Sequence, residues 1–295
     1  MQSHTEPTAK AALPFSVHLL PQMLDQDLLT GSVAVVIDLL RASTTITTAL
    51  DVGAEAVVPC ATVDAARQLA TQLTDKEILL GGERQGTMIE GFDLDNSPAK
   101  YTAERIAGKT IIFTTTNGTA AIDAVAAAER IVIGCFANLN ALLDVLIRDG
   151  RPVRFICAGT NGEVTVEDAL CAGAIATALW TQRGRPDIKD DQTTLAMSLW
   201  DSAGKDAETF LSMLRNSYGG RNLRQLGLDS DIVIASHWDT HPIVPELSTT
   251  NHTLSPATNT HKNAPVFLPP PNPIPPSPSG RGAGGEGFRN TSSLP

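Results

Sequence analysis

Apolar positions along the chain fall into short runs of strand length, separated by Ala-rich segments whose apolar residues recur at helical spacing. The runs 33–39, 56–58, 78–80, 110–113, 131–133, 153–157 and 232–235 predict strands. Segments 43–50, 63–73, 118–127, 140–148, 166–182 and 193–202 predict helices, with two more near 207–216 and 220–226. Strands alternating with helices in this way predict an α/β protein, its sheet largely parallel and covered by helices.

The pattern also repeats. The stretch around Asp38 and the stretch around Phe113, about 74 residues further on, share one order: apolar strand, Thr/Ser-rich turn, short Ala/Thr helix, Ala-Glu, strand, Cys. Glu55 and Cys60 in the first echo Glu129 and Cys135 in the second. A third strand-turn-helix runs from Phe155 to Leu179. Either duplication or the common physics of βαβ units accounts for this.

From Thr249 the pattern stops. Ten of the nineteen prolines lie beyond that point, in runs such as Pro269-Pro270-Pro271, followed by the Gly-rich 280–285. Such a segment buries too little apolar surface to offset the entropy of ordering it. The expected organisation is a flexible 1–14, an α/β domain over 15–248 and a disordered tail over 249–295.

Composition narrows the partners. The chain of 295 residues is 42% hydrophobic and carries a net charge of −10, of which the tail contributes +2, leaving about −12 on the rest. That balance disfavours nucleic acid and anionic membranes, so an anionic ligand needs a local positive feature or a metal ion. No apolar run reaches the roughly 18 residues of a membrane span, which makes the cytoplasm the expected location. Cys60, Cys135, Cys157 and Cys171 lack metal-ligand spacing and read as buried thiols.

Ligands of open α/β sheets bind where strand ends lead into helices, and three such turns carry unusual chemistry. In the first, Asp38 ends an apolar run and precedes Arg41, Ser43, Thr44 and Thr45. The hydroxyls can cap a helix or bind phosphate beside its free N–H groups, but capping does not explain a carboxylate on a buried strand. The second turn is 114–119, with Thr115, Thr116, Asn117 and Gly118 offering oxyanion donors without the Lys of a P-loop. The third is 158–163, followed by Glu167 and Asp168 in the first turn of a helix. They read there either as dipole compensation or, with Asp38, as metal ligands. Gly81-Gly82-Glu83-Arg84 adds another carboxylate and a guanidinium suited to phosphate or sulfonate.

Other chemistries find little support. Asp93-x-Asp95-x-Ser97 does not follow a buried strand, as an aspartyl-phosphate nucleophile would. His237 and His241, near Asp239, lack a third ligand at fixed spacing. No Gly-x-Ser-x-Gly, Cys-x5-Arg or His-Glu-x-x-His is present.

Taken in order, the segment from Val36 to Thr45, Gly82-Glu83-Arg84, Asn96-Ser97-Pro98, Thr115-Thr116-Asn117-Gly118-Thr119 and Gly159-Thr160-Asn161-Gly162 with Glu167-Asp168 resemble the 2-phosphosulfolactate phosphatase family. The resemblance covers about Phe15 to Leu247. It departs at Asp95, where the family pattern has Gly, a change that either disturbs the substrate's second anionic group or points to solvent. The resemblance implies a three-layer α/β/α fold with two related halves. It also implies a Mg²⁺-dependent hydrolase that converts 2-phospho-3-sulfolactate to sulfolactate and phosphate, a step towards coenzyme M.

On that basis Asp38, Glu83, Glu167 and Asp168 are the expected Mg²⁺ ligands. Asp38, Arg41, Glu83 and Arg84 are the expected catalytic set, with Arg84 on the second anionic group. Ser43, Thr44, Asn96, Ser97, Thr115, Thr116, Asn117 and Gly118 are the expected substrate contacts. Two other readings stay open: a phosphatase for another small phospho-hydroxy acid, and a non-catalytic anion-binding protein. Direct hydrolysis or a covalent intermediate, and a monomer or a homo-oligomer, also stay open.

Overall fold

The computed structural model describes residues 14–204 and 206–257. Ten strands form one sheet: β1 (Phe15–His18), β2 (Val33–Ile37), β3 (Ala56–Pro59), β4 (Ile78–Arg84), β5 (Thr87–Met88), β6 (Thr110–Thr114), β7 (Arg130–Ile133), β8 (Val153–Cys157), β9 (Pro245–Ser248) and β10 (Thr253–Pro256). The helices between them are α1 (Ala42–Asp51), α2 (Val63–Gln72), α3 (Ala103–Ile106), α4 (Gly118–Asp123), α5 (Leu139–Asp149) and α6 (Val166–Gln182). A helical stretch then follows without an intervening strand: α7 (Asp191–Ala203), α8 (Ala207–Asn216), α9 (Tyr218–Gln225) and α10 (Asp229–Ala235).

The strand order is β1-β8-β2-β7-β9-β10-β3-β6-β4-β5. Two parallel blocks, β1-β8-β2-β7 and β3-β6-β4, flank the antiparallel hairpin β9-β10. The echo seen in the sequence has a structural counterpart. The unit β2-α1-β3 starts in the first block and ends in the second, while β6-α4-β7 makes the return crossing. Exchanging β2 with β6, β7 with β3, β8 with β4 and β9 with β10 leaves the central strand order unchanged.

Strand β2 shows why its run is apolar throughout. Val33, Val35 and Ile37 pack into a core that includes Phe155, Leu170 and Ile175, while Ala34 and Val36 face another with Ile46, Leu50 and Ile122. A strand covered by helices on both faces loses the polar alternation of a half-exposed one. Aromatic weight gathers under α7, α8 and α10, where Phe136 and Phe210 meet edge-on at 5.0 Å and Trp238 lies 4.4 Å from Phe136. All four cysteines are buried and free. No helix among the described residues is long and apolar enough to cross a membrane.

Two expectations are corrected. Residues 232–235 lie in helix α10, not in a strand. A four-residue apolar run does not by itself distinguish the two, and Asp229 and Asp231 in the first turn favour the helix. The tail does not begin at 249: residues 249–252 turn and β10 follows, pairing with β9 and with β3 at Leu254–Val57. Leu254 is fully buried. Strands β1, β5, β9 and β10 were absent from the periodicity reading because they are short and lie among prolines or polar residues. Residues 1–13 and 258–295 lie outside the described residues, as does the rest of the expected tail.

Candidate functional site

The turns that follow β2 and β6 come together. At the start of α1, Asp38 accepts the Ala42 N–H at 3.2 Å through Oδ1, and its own N–H donates to Ser43 Oγ at 2.8 Å. Thr44 Oγ1 donates to the Leu39 carbonyl at 2.9 Å. The hydroxyls of Ser43 and Thr44 are therefore used inside the turn, and both residues are buried. Gly118 opens α4 against this turn. A Cβ on Gly118 would lie 2.7 Å from Ala42 Cβ and 2.8 Å from Asp38 Oδ2, so only glycine allows the two helix starts to touch.

Glu83 joins the second turn to the β4–β5 hairpin. Its Oε1 accepts the Thr116 N–H at 2.8 Å and its Oε2 the Gly86 N–H at 2.6 Å. Thr115 is turned inward, its Oγ1 accepting the Thr119 N–H. Asn117 Oδ1 accepts the Asn161 N–H at 3.1 Å, bringing the third turn onto the second.

The two neighbouring carboxylates of α6 differ. Asp168 is fully engaged: Oδ1 accepts the Leu39 N–H at 2.8 Å, and Oδ2 accepts the Gly159 N–H and the Thr165 hydroxyl, both at 3.0 Å. It bolts the first turn to the third. Glu167 is half-engaged, with Oε1 accepting the Gly219 N–H at 2.9 Å while the buried Oε2 has no partner. Burial, reinforced by the charges of Glu83 and Glu167, pushes the Asp38 carboxyl up to about 7. Burial likewise raises Glu167 and, with the charges of Glu167 and Asp38, raises Asp168 well above the usual range.

A cavity of about 290 Å³ opens over this cluster. It is lined by Asp38, Arg41, Glu83, Asn96, Thr116 and Asn117 together with Gln85 and with Tyr218, Gly219 and Asn222 of α9. Of the expected site residues, Ser43, Thr44, Arg84, Ser97, Thr115, Gly118, Glu167 and Asp168 do not line it. Arg84 follows Glu83 in the strand, so the pleat sends it to the other side. Its guanidinium donates to the Glu83 carbonyl at 2.7 Å and to Thr114 Oγ1 at 2.9 Å.

Periodicity missed Asp231, Gln85 and the α9 residues. Asp231 Oδ2 accepts Arg41 Nη1 at 2.7 Å and its Oδ1 accepts Ser97 Oγ at 2.7 Å. Arg41 Nη2 donates to the Gly86 carbonyl at 2.9 Å. A charge beside the apolar run 232–235 was the available signal for Asp231, as the charge ending β2 was for Asp38.

As a metal site the cluster is sparse. Among the described residues no three His, Cys, Asp or Glu side chains form a cage. The unpartnered Oε2 of Glu167 and the Asp38 carboxyl fit a hard divalent ion that uses one or two carboxylates and completes its shell with water and phosphate. The expected roles of Glu83 and Asp168 as ligands meet carboxylates whose oxygens already accept hydrogen bonds.

The family model of 2-phosphosulpholactate phosphatase matches residues 18–250. The chain belongs to this family. It is 42% identical over 218 residues to a probable 2-phosphosulfolactate phosphatase of Symbiobacterium thermophilum, covering 74% of this chain and 91% of the relative. A protein of the same description from Caldanaerobacter subterraneus subsp. tengcongensis is 39% identical over 223 residues, covering 76% and 90% respectively. One from Clostridium acetobutylicum is 35% identical over 223 residues, covering 76% and 92%.

Every lining residue named above lies within the span matched by the phosphatase family. The family departure at Asp95 takes neither of its expected forms. Asp95 is buried, accepts the Ser97 N–H at 3.0 Å and pairs with Lys100 at 2.5 Å, and it does not line the cavity. It holds the loop that presents Asn96, whose carbonyl accepts Thr45 Oγ1 at 2.9 Å. His241 is likewise structural in its contacts, with Nδ1 2.7 Å from Asp51 and Nε2 3.2 Å from Thr48. Asp239 accepts from the N–H and side-chain amide of Asn140.

Proposed function

We propose that this protein hydrolyses 2-phospho-3-sulfolactate to 3-sulfolactate and phosphate, with Mg²⁺ held by Asp38 and Glu167. The observation that carries the metal reading is the buried Glu167 Oε2 left without a partner near a carboxyl raised by burial and, to a smaller extent, by the charges around it. Repulsion between Asp38, Glu83 and Glu167 would worsen on binding an anionic ester, and a divalent cation between them reverses it. Mg²⁺ there supplies charge neutralisation for phosphoryl oxygens and a more acidic bound water. Family membership supports the substrate.

The chain's own residues orient and enclose the ester. Arg41 is held by Asp231 and the Gly86 carbonyl, so its guanidinium keeps a fixed position beside the phosphoryl oxygens. Thr116 and Asn117 line the cavity beside Asp38, and Glu83 fixes Thr116 through its N–H. Asp168 keeps the first and third turns in register. In the reaction, a water oxygen bonds to phosphorus, the ester P–O bond breaks, and the released oxygen on carbon 2 takes a proton. A cytoplasmic place in a route to coenzyme M is part of the same proposal.

The test is phosphate release from 2-phosphosulfolactate by the full chain, with Mg²⁺ and with a chelator. Mg²⁺-dependent release is expected. Release unaffected by chelation would remove the metal. Turnover only of another phospho-hydroxy acid would move the substrate, and phosphate binding without turnover of any ester would favour an anion-binding protein.

A further inference from the structure

Breaking the ester bond releases an alkoxide from carbon 2 of the substrate, a base too strong to depart well without a proton. A donor beside the bridging oxygen supplies it. The cavity offers few candidates. Among its described lining residues there is no His, Lys or Cys. Both oxygens of Glu83 accept backbone N–H groups, from Thr116 at 2.8 Å and Gly86 at 2.6 Å, so neither is placed to give a proton. Asp38 is committed to the ion in the proposed site. Arg41 donates to Asp231 and the Gly86 carbonyl, and a guanidinium, like a side-chain amide, does not release its protons. The hydroxyls of Thr116, Thr160 and Tyr218 remain. Of these the phenol gives up its proton far more readily than an aliphatic alcohol.

Tyr218 is the first residue of α9, and its backbone is fixed from both sides. Ser217 caps the helix by accepting the Gly220 N–H at 3.1 Å, and the Gly219 N–H donates to Glu167 Oε1 at 2.9 Å. Among the described residues, no hydrogen bond uses the Tyr218 hydroxyl. The side chain is 40% exposed, whereas Arg41 is 3% and Glu83 7% exposed, although all three line the same cavity. The groups around the phosphoryl oxygens are thus deep and the phenol stands at the mouth. That is the order expected of an ester whose phosphoryl group enters first and whose organic part trails.

Resting on the function proposed above, we infer that Tyr218 is the general acid of the reaction. As the bond between phosphorus and the oxygen on carbon 2 breaks, the phenol O–H passes its proton to that oxygen. Sulfolactate leaves as the alcohol, its carboxylate and sulfonate unchanged. The attacking water leaves one proton on the phosphate and gives the other to solvent, and the phenolate takes one back from solvent, which its exposure permits. No proton is gained or lost overall. A neutral donor also suits a departing group that carries two anions, because an ionised carboxylate in its place would repel both.

The test is Tyr218→Phe in the full chain, which removes one oxygen that bonds to nothing else in the fold; an unchanged thermal midpoint shows that the variant folds. With Mg²⁺ and 2-phosphosulfolactate, kcat for phosphate release is expected to fall at least about a hundredfold, the low end of general acid–base catalysis, with KM within about twofold. With p-nitrophenyl phosphate, whose nitrophenolate departs without a proton, wild type and variant are expected to release phosphate at comparable rates, however slow. An unchanged kcat on 2-phosphosulfolactate, a loss confined to KM, or an equal loss on both esters overturns the inference while the phosphatase reading stands. A wild type that releases no phosphate from 2-phosphosulfolactate overturns the phosphatase reading and this inference together.

Discussion

Arg41 and Asp231, 190 residues apart in sequence, form a buried ion pair of 2.7 Å at the edge of the cavity. Ser97 donates to the same carboxylate, so one side chain of α10 holds the first turn and the Asn96 loop together. Removing one member of such a pair leaves a charge buried without its partner. Asp231→Ala is expected to destabilise the protein by about 3–5 kcal/mol, measured by chemical denaturation. A cost below about 1 kcal/mol would show that Arg41 reaches water or another partner.

Gly118→Ala places a methyl group within 2.8 Å of both Ala42 and Asp38. The starts of α1 and α4 must separate, which costs about 1–3 kcal/mol of stability. It also shifts Asp38 against Thr116. A fall of about a hundredfold in kcat/KM is expected, as for misplacement near the chemistry. Activity near wild type would mean that the two helix starts do not jointly shape the site.

Metal-free protein is expected to lose stability as pH rises. The Asp38 carboxyl sits at about 7 in the fold, against about 3.9 unfolded. Between those values the folded state binds more protons, so the contribution of Asp38 to stability is fully present below the unfolded pKa and is lost as pH rises towards 7. Thermal midpoints measured with a chelator between pH 5 and about 8 should fall, and Asp38→Asn should flatten the trend. Mg²⁺ at the upper end should raise the wild-type midpoint and leave Asp38→Asn and Glu167→Gln unmoved. An equal rise in all three proteins would place the ion elsewhere.

Strand β10 joins β9 to β3 across the middle of the sheet, with Leu254 fully buried. Leu254→Ala is expected to cost about 2–5 kcal/mol. Truncation after residue 248 removes the strand and should abolish cooperative unfolding followed by circular dichroism. A truncated chain that unfolds at the wild-type midpoint would show the hairpin to be dispensable.

The sequence by itself determined the α/β class, because a strand buried on both faces must be apolar throughout and a helix beside it must show helical spacing. Val33–Ile37, Val153–Cys157 and Val166–Gln182 were legible for that reason. So was the anomaly of Asp38, since a carboxylate at the end of a buried run calls for an explanation. The repeated pattern around Asp38 and Phe113 foreshadowed the two exchanged crossings.

Tertiary structure decided the rest, because local periodicity does not encode which distant groups satisfy one another. Residues 232–235 became a helix whose first turn supplies Asp231 to Arg41, and β10 became a strand between its hairpin partner β9 and β3, which lies far away in sequence. Ser43 and Thr44 turned out to hold their own loop, Asp168 to bond three donors, and Arg84 to leave the cavity through the alternation of its strand. Gly86 and Asn222 came together only because α9 packs on the hairpin tip. Backbone and side-chain polar groups must find partners when buried, and which partner each finds depends on long-range packing that only the folded chain brings about.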